Sequence, residues 1–263
     1  MSQSLPPNLV KATTGQYSIP IRAIFSEAWH RIKGMKKSFW GGFALLFLTL
    51  VGIYVLFQFF LAVCSVLQLY KAGAIGGFIA GGFFEVLRLL LSMSLVFLAL
   101  QHLRHQAITS TMVFEFRKAW KPLTIIAVSF YLLNFLLVSG GKLILNKFNA
   151  PGLENAFALG MGIQFIVFIF LFTYIAMLIT MSMLLILDKK MPLKESFAVA
   201  FKSINQHVFK NMALLLAASF LFLGIGLVTL GVGLIWLLPF MSLVSAIQYR
   251  QIFCQEESAL GAR

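Results

Sequence analysis

The sequence predicts an all-α fold: a polytopic membrane helix bundle of six transmembrane helices, with three cytoplasmic interfacial amphipathic helices and a three-unit internal repeat. Three observations lead there. Apolar residues make up 60% of the chain and charged residues 11%, with a mean hydropathy of +0.93, whereas a water-soluble globule needs about a quarter charged residues. Several apolar runs reach the roughly 20 residues that cross about 30 Å of hydrocarbon. Lys and Arg, which give a net charge of +13, gather in alternate loops beside those runs.

The six spans fall at about 41–69, 75–101, 123–140, 159–187, 211–229 and 232–249. The first four are separated by polar or basic segments. The last two form one nearly continuous apolar run broken at Gly231 and Gly233, which favours a tight hairpin over a single tilted helix. Pro239 lies inside the sixth span, where its missing N–H predicts a kink.

Topology follows from the basic residues. Six precede span 1, four lie between spans 2 and 3, five between spans 4 and 5, and two follow span 6, against Lys71, Lys142 and Lys147 on the other side. The positive-inside rule then places both termini in the cytoplasm, which in a bacterium means a multi-pass inner-membrane protein. Basic residues held in short loops do not form the soluble basic face that nucleic-acid binding requires. The first 37 residues lack an apolar signal core, so span 1 is expected to act as an uncleaved insertion signal. Cys64 in span 1 and Cys254 in the tail fall at different depths and are not expected to pair. The expected organisation is a flexible arm (1–18), one membrane domain (19–252, with units near 19–105, 106–188 and 189–252) and a tail (253–263).

The repeat rests on the polar stretches before spans 1, 3 and 5. Ile21, Phe25, Ala28, Trp29 and Ile32 are matched by Met112, Phe116, Ala119, Trp120 and Leu123, and again by Leu193, Phe197, Ala200, Phe201 and Ile204. The spacing i, i+4, i+7, i+8, i+11 marks one helical face. Charges such as Arg22, Arg31, Lys118 and Lys194 occupy the other side, as in helices lying at the headgroup level. Phe25, Trp29, Phe116, Trp120, Phe197 and Phe201 are therefore candidate membrane-interface anchors. The sets recur 91 and then 81 residues further on, which supports a unit of one interfacial helix plus a two-helix hairpin.

Within span 2, Glu85 and Arg88 stand at i and i+3 and are the candidate intramembrane polar site. They serve either as an ion or substrate contact inside the bundle or as a pair snorkelling to the outer interface. Gly73, Gly77 and Gly81 form a GxxxGxxxG pattern suited to close helix packing. Neither a strand before it nor a Lys-Ser/Thr after it makes this a phosphate loop. His30, His102, His105 and His207 map to the cytoplasmic edge without carboxylates or cysteines in ligand spacing, so no metal or other cofactor is expected. Gln58, Ser92, Asn134, Gln164, Thr173, Tyr174 and Ser219 are read as helix-to-helix hydrogen-bonding groups before they are read as a path. The carboxylates Glu27, Glu115, Asp188 and Glu195 are read as solvated.

The last third, from Glu195, Ser196 and Phe197 through Ala200, Asn205, Asn211, the glycines from Gly224 to Gly233, Pro239, and Ala246 to Tyr249, resembles the YciC-like bacterial inner-membrane proteins. The resemblance implies a six-span envelope protein and no reaction. With no convergent acid, base or nucleophile set in the sequence, the expected function is non-enzymatic: organising lipids or assisting a membrane complex. The expected partners are the bilayer and either another membrane protein or a second copy. A small-solute or ion carrier using Glu85 and Arg88 is the alternative, and an intramembrane lipid enzyme the third class.

Overall fold

A computed structural model describes residues 6–67, 69–147 and 154–254. Among them the chain is helical throughout, with no strand. In order come α1 (Pro7–Thr13), α2 (Ile21–Val66), α3 (Tyr70–Leu103), a 3₁₀ segment (Ser110–Ala119), α4 (Trp120–Lys147), α5 (Glu154–Lys189), α6 (Leu193–Gln206), α7 (Val208–Val228) and α8 (Leu234–Phe253).

Five helices are long and apolar enough to cross a membrane: Ile21–Val66, Gly76–Leu103, Ser110–Leu137, Ile166–Lys189 and Val208–Val228. In the most apolar window of the first, only 6% is buried within the protein, so its side chains need a hydrocarbon solvent. The sixth expected span corresponds to α8, which is not among the five. Its last turns carry Gln248, Tyr249, Arg250 and Gln251, which dilute its apolar character. Between α7 and α8 the chain turns at Thr229–Gly233, with Gly231 at φ +87°, a left-handed geometry that a residue lacking Cβ adopts without strain.

The three amphipathic stretches take three different forms. The first continues into span 1 as a single 46-residue helix. Lys33, Lys36 and Lys37 are good helix formers, and at Gly34 the His102 ring packs close enough that an added Cβ would stand 2.9 Å from it. The second begins as the 3₁₀ segment and passes directly into α4 at Trp120. Only the third, α6, stands as a separate α-helix, entered at Pro192.

Within the N-terminal segment, residues 7–13 form the helix α1. Leu9 and Ala12 of α1 are buried, Gln206 Nε2 donates to the Thr13 carbonyl at 3.0 Å, and His207 Nε2 lies 3.0 Å from the Gly15 carbonyl. The two buried side chains and these hydrogen bonds offset part of the entropy of ordering the segment, helped by Pro6 and Pro7, whose backbones are already restricted.

Among the residues whose burial is described, each long helix is buried toward one end and more exposed toward the other, in alternation along the chain. Apart from Cys64 of α2 and Gly82 of α3, the buried residues of these helices lie within Ile24–Leu46 of α2, Val86–Leu103 of α3, Leu123–Ala127 of α4, Met177–Ile186 of α5, Asn211–Ala218 of α7 and Leu237–Phe253 of α8. Exposed apolar side chains crowd the opposite ends, from Phe47 to Leu67 and from Phe220 to Val228. The core therefore sits at the end of the bundle that also carries α1 and α6.

Candidate functional site

Polar chemistry concentrates in that core end. Asp188, in the last turn of α5, accepts from both Nη atoms of Arg104, with Nη2 to Oδ2 at 3.1 Å, and from the Tyr249 hydroxyl at 2.9 Å. Lys189 Nζ adds a contact at 3.7 Å. A helix C-terminus disfavours an anion, so these donors offset both the dipole and the burial of the carboxylate. Arg104 Nη2 also lies 3.4 Å from Cys254 Sγ. Residues following α3 and closing α5 and α8 are thus tied at one point.

On the adjoining side, Arg250 Nη2 of α8 donates to both oxygens of Glu27 in α2, at 2.8 and 2.6 Å. Arg250 is buried, and its Nε has no hydrogen-bond partner. A desolvated pair of this kind is valuable chiefly because losing one member strands the other. The expectation that Glu27 and Asp188 are solvated is corrected here: their helices cross other helices at the charged turn. Glu115 pairs with Lys118 at 2.5 Å across one turn.

A third network joins the N-terminal arm to the bundle. Tyr17 Oη donates to the Ser203 carbonyl at 2.6 Å and accepts from Asn211 Nδ2 at 3.2 Å. Asn211 Nδ2 also donates to the Ile204 carbonyl, at 3.3 Å. With its amide nitrogen so engaged, Asn211 presents Oδ1 to Gln248 Nε2 at 2.9 Å. Burial raises the Tyr17 phenol above its ordinary value of 10.0, against a smaller lowering from the Asn211 hydrogen bond.

Glu85 and Arg88 do pair, Arg88 Nε donating to Glu85 Oε2 at 2.8 Å, but their side chains stay 44% and 49% exposed. They face outward from α3. Of the candidate packing glycines, Gly77 and Gly81 have nothing within 4 Å of where a Cβ would stand, and Gly73 lies outside the residues whose packing is described. Close approach falls on neighbours instead. A Cβ on Gly82 would stand 2.9 Å from the Tyr131 ring, and one on Gly42 2.6 Å from Val113 Cγ1 and 3.4 Å from the Ser110 carbonyl oxygen. The 3₁₀ segment is seated on α2 through that second glycine.

Among the candidate anchors, Trp29, Trp120 and Phe201 are 53%, 55% and 45% exposed, while Ile32, Leu123 and Ile204 three residues on are buried. Phe197 is exposed, and Phe25 and Phe116 are half-buried. Phe25 meets Phe240 edge-on at 5.6 Å.

The histidines bond to main chain or to Arg31: His30 lies 2.7 Å from the Ser26 carbonyl, His102 3.1 Å from that of Arg31, and His105 3.3 Å from the Arg31 guanidinium. Among the described residues no three His, Cys, Asp or Glu side chains are grouped to hold a metal. Ser92 bonds within its own helix and Tyr174 donates to Asn205 at 2.9 Å. Thr173 and Ser219, with Thr180, Ser245 and Gln248, line a recess of about 250 Å³ among α5, α7 and α8. The Gln164 side chain lies outside the described residues.

These features define an all-helical protein with several helices long and apolar enough to cross a membrane, in which the carboxylates Glu27, Glu85, Glu115 and Asp188 are each held by a basic side chain. Compared with protein-family models, curated proteins and solved structures, the chain matches none.

Proposed function

We propose that this chain is a non-enzymatic, six-span protein of the bacterial inner membrane, with both termini cytoplasmic, that organises lipids at the cytoplasmic leaflet or assists a membrane complex there. The observation that carries the reading is the matched exposure of Trp29, Trp120 and Phe201, each backed by a buried aliphatic residue three positions on. Aromatic side chains presented outward beside Lys and Arg suit the headgroup level of an anionic leaflet. The shared pattern supports three related units, although their backbones differ. The alternation of buried and bare helix ends agrees with an up-and-down topology in which the basic loops share one side, and α8 supplies the sixth crossing. The resemblance of the last third to YciC-like proteins points the same way and adds no reaction.

The test is reconstitution of the whole chain into vesicles containing phosphatidylglycerol, some of it labelled with a self-quenching fluorophore. Clustering of lipid appears as increased quenching over protein-free vesicles. Replacing Trp29, Trp120 and Phe201 together by Ala is expected to remove most of that increase while the purified protein stays folded. Quenching that never rises, or turnover of a substrate by the protein alone, would sink the reading.

A second reading, a small-solute carrier, is favoured by one observation: the recess lined by Thr173, Thr180, Ser219, Ser245 and Gln248. It supplies polar groups within spans, as carrier sites do. Solute flux above that of empty vesicles, abolished by Gln248→Leu, would decide for it over lipid organisation.

A further inference from the structure

The helices α4 and α5 leave a groove of about 490 Å³ between them, with α6 across one end. That volume falls within the about 300–1,000 Å³ typical of ligand sites. Its floor is apolar, formed by buried Ile126, Leu178 and Ile179, while exposed Ser129 sits on its wall. The end toward α6 carries Lys194 and Phe197.

We propose that this groove holds one acyl chain of an anionic phospholipid, with Lys194 against the phosphate. The inference deepens the lipid reading above and rests on it. An apolar slot that ends in a cation is complementary to an amphiphile with an apolar tail and an anionic head. A second copy of a chain with net charge +13 offers this end mostly like charge, which argues against a dimer interface.

A neighbouring groove of the same volume, about 490 Å³, lies between α3 and α4. Its lining includes Phe116 and Trp120, and it is toward this Trp120 that Lys121 is directed, Nζ standing 5.9 Å from the ring.

Native mass spectrometry of the whole chain, released from micelles supplemented with either phosphatidylglycerol or phosphatidylcholine, tests the assignment. Wild type is expected to retain phosphatidylglycerol about fivefold better, the factor that one lysine at an anionic surface, about 1 kcal/mol, supplies. Lys194→Gln should bring the anionic lipid down to the zwitterionic level, and Ser129→Trp, projecting into the groove from an exposed position, should lower retention of both. Equal retention of the two lipids by wild type, or a preference that survives Lys194→Gln, would overturn the headgroup contact. If Ser129→Trp abolishes a dimer and leaves lipid retention unchanged, the groove is a seat for a second copy and the proposal is wrong. Failure here with vesicle lipid clustering intact would leave the wider reading standing. Loss of clustering with groove retention intact would do the reverse.

Discussion

Arg250, near the end of α8, holds Glu27, near the start of α2, through a single Nη2 that reaches both carboxylate oxygens at 2.8 and 2.6 Å. The two residues are 223 positions apart, so this contact fastens the last helix to the first long one. Removing the cation alone should be severe. Arg250→Ala is expected to lower stability by roughly 3 kcal/mol, since it leaves a carboxylate against a desolvated surface, read as an earlier thermal transition in detergent. The double replacement Arg250→Met with Glu27→Leu should unfold later than Arg250→Ala. If the double change proves worse, the pair contributes more than mutual neutralisation.

Asp188 receives charge-assisted bonds from Arg104 and a neutral one from Tyr249. Charged hydrogen bonds are roughly twice as strong as neutral ones. Tyr249→Phe should therefore cost about 1 kcal/mol, and Asp188→Ala clearly more, because it removes both charge-assisted bonds from Arg104 along with the Tyr249 bond. Denaturant midpoints for the two variants check the ranking, and equal losses would refute it.

The arm carrying α1 should loosen in alkali. Burial raises the Tyr17 phenol above 10.0, so the docked state keeps its proton where a free phenol loses it. Its contribution is fully present below about pH 10 and is lost as pH rises through the raised value. Hydrogen exchange at residues 9–17, corrected for the intrinsic pH dependence, should show protection falling above pH 10 in wild type. Tyr17→Phe, lacking the bond to Ser203, should show weaker protection at pH 8 and no added loss in alkali.

Glycines along the spans should separate into two groups. Gly77→Ala and Gly81→Ala meet open space and should leave stability within about 0.5 kcal/mol of wild type or raise it slightly. Gly42→Val should be strongly destabilising, because a Cβ there already crowds Val113 and approaches the Ser110 carbonyl. Thermal transitions of the three variants provide the comparison, and a benign Gly42→Val would show that the 3₁₀ segment shifts freely on α2.

The long helices were legible in the sequence because each is a sustained apolar run. Their junctions were not. The first amphipathic set ends at Ile32 and span 1 was expected from about 41, and nothing in the residues between them announces that a single helix runs through both. The ionic contacts were hidden for another reason. Arg104 and Arg250 look like flanking charges that the positive-inside rule already explains, and their partners lie 84 and 223 residues away. Asp188 was the available signal: an anion at the end of an apolar helix, where neither topology nor the helix dipole asks for one. Glu85 and Arg88 attracted attention by being inside a span, yet a pair at i and i+3 satisfies itself without facing the core.

The unbroken course of α2 has a geometric consequence. Forty-six residues at 1.5 Å each make a rod of about 69 Å, more than twice the roughly 30 Å of a bilayer's hydrocarbon. Glu27 sits near one tip, and the bare apolar stretch beyond Phe47 occupies the other half. The packing from Ile24 to Leu46 holds the rod along half its length and sets Glu27 about 30 Å from Phe47, so the ion pair with Arg250 stands a whole hydrocarbon thickness away from where the bare stretch begins.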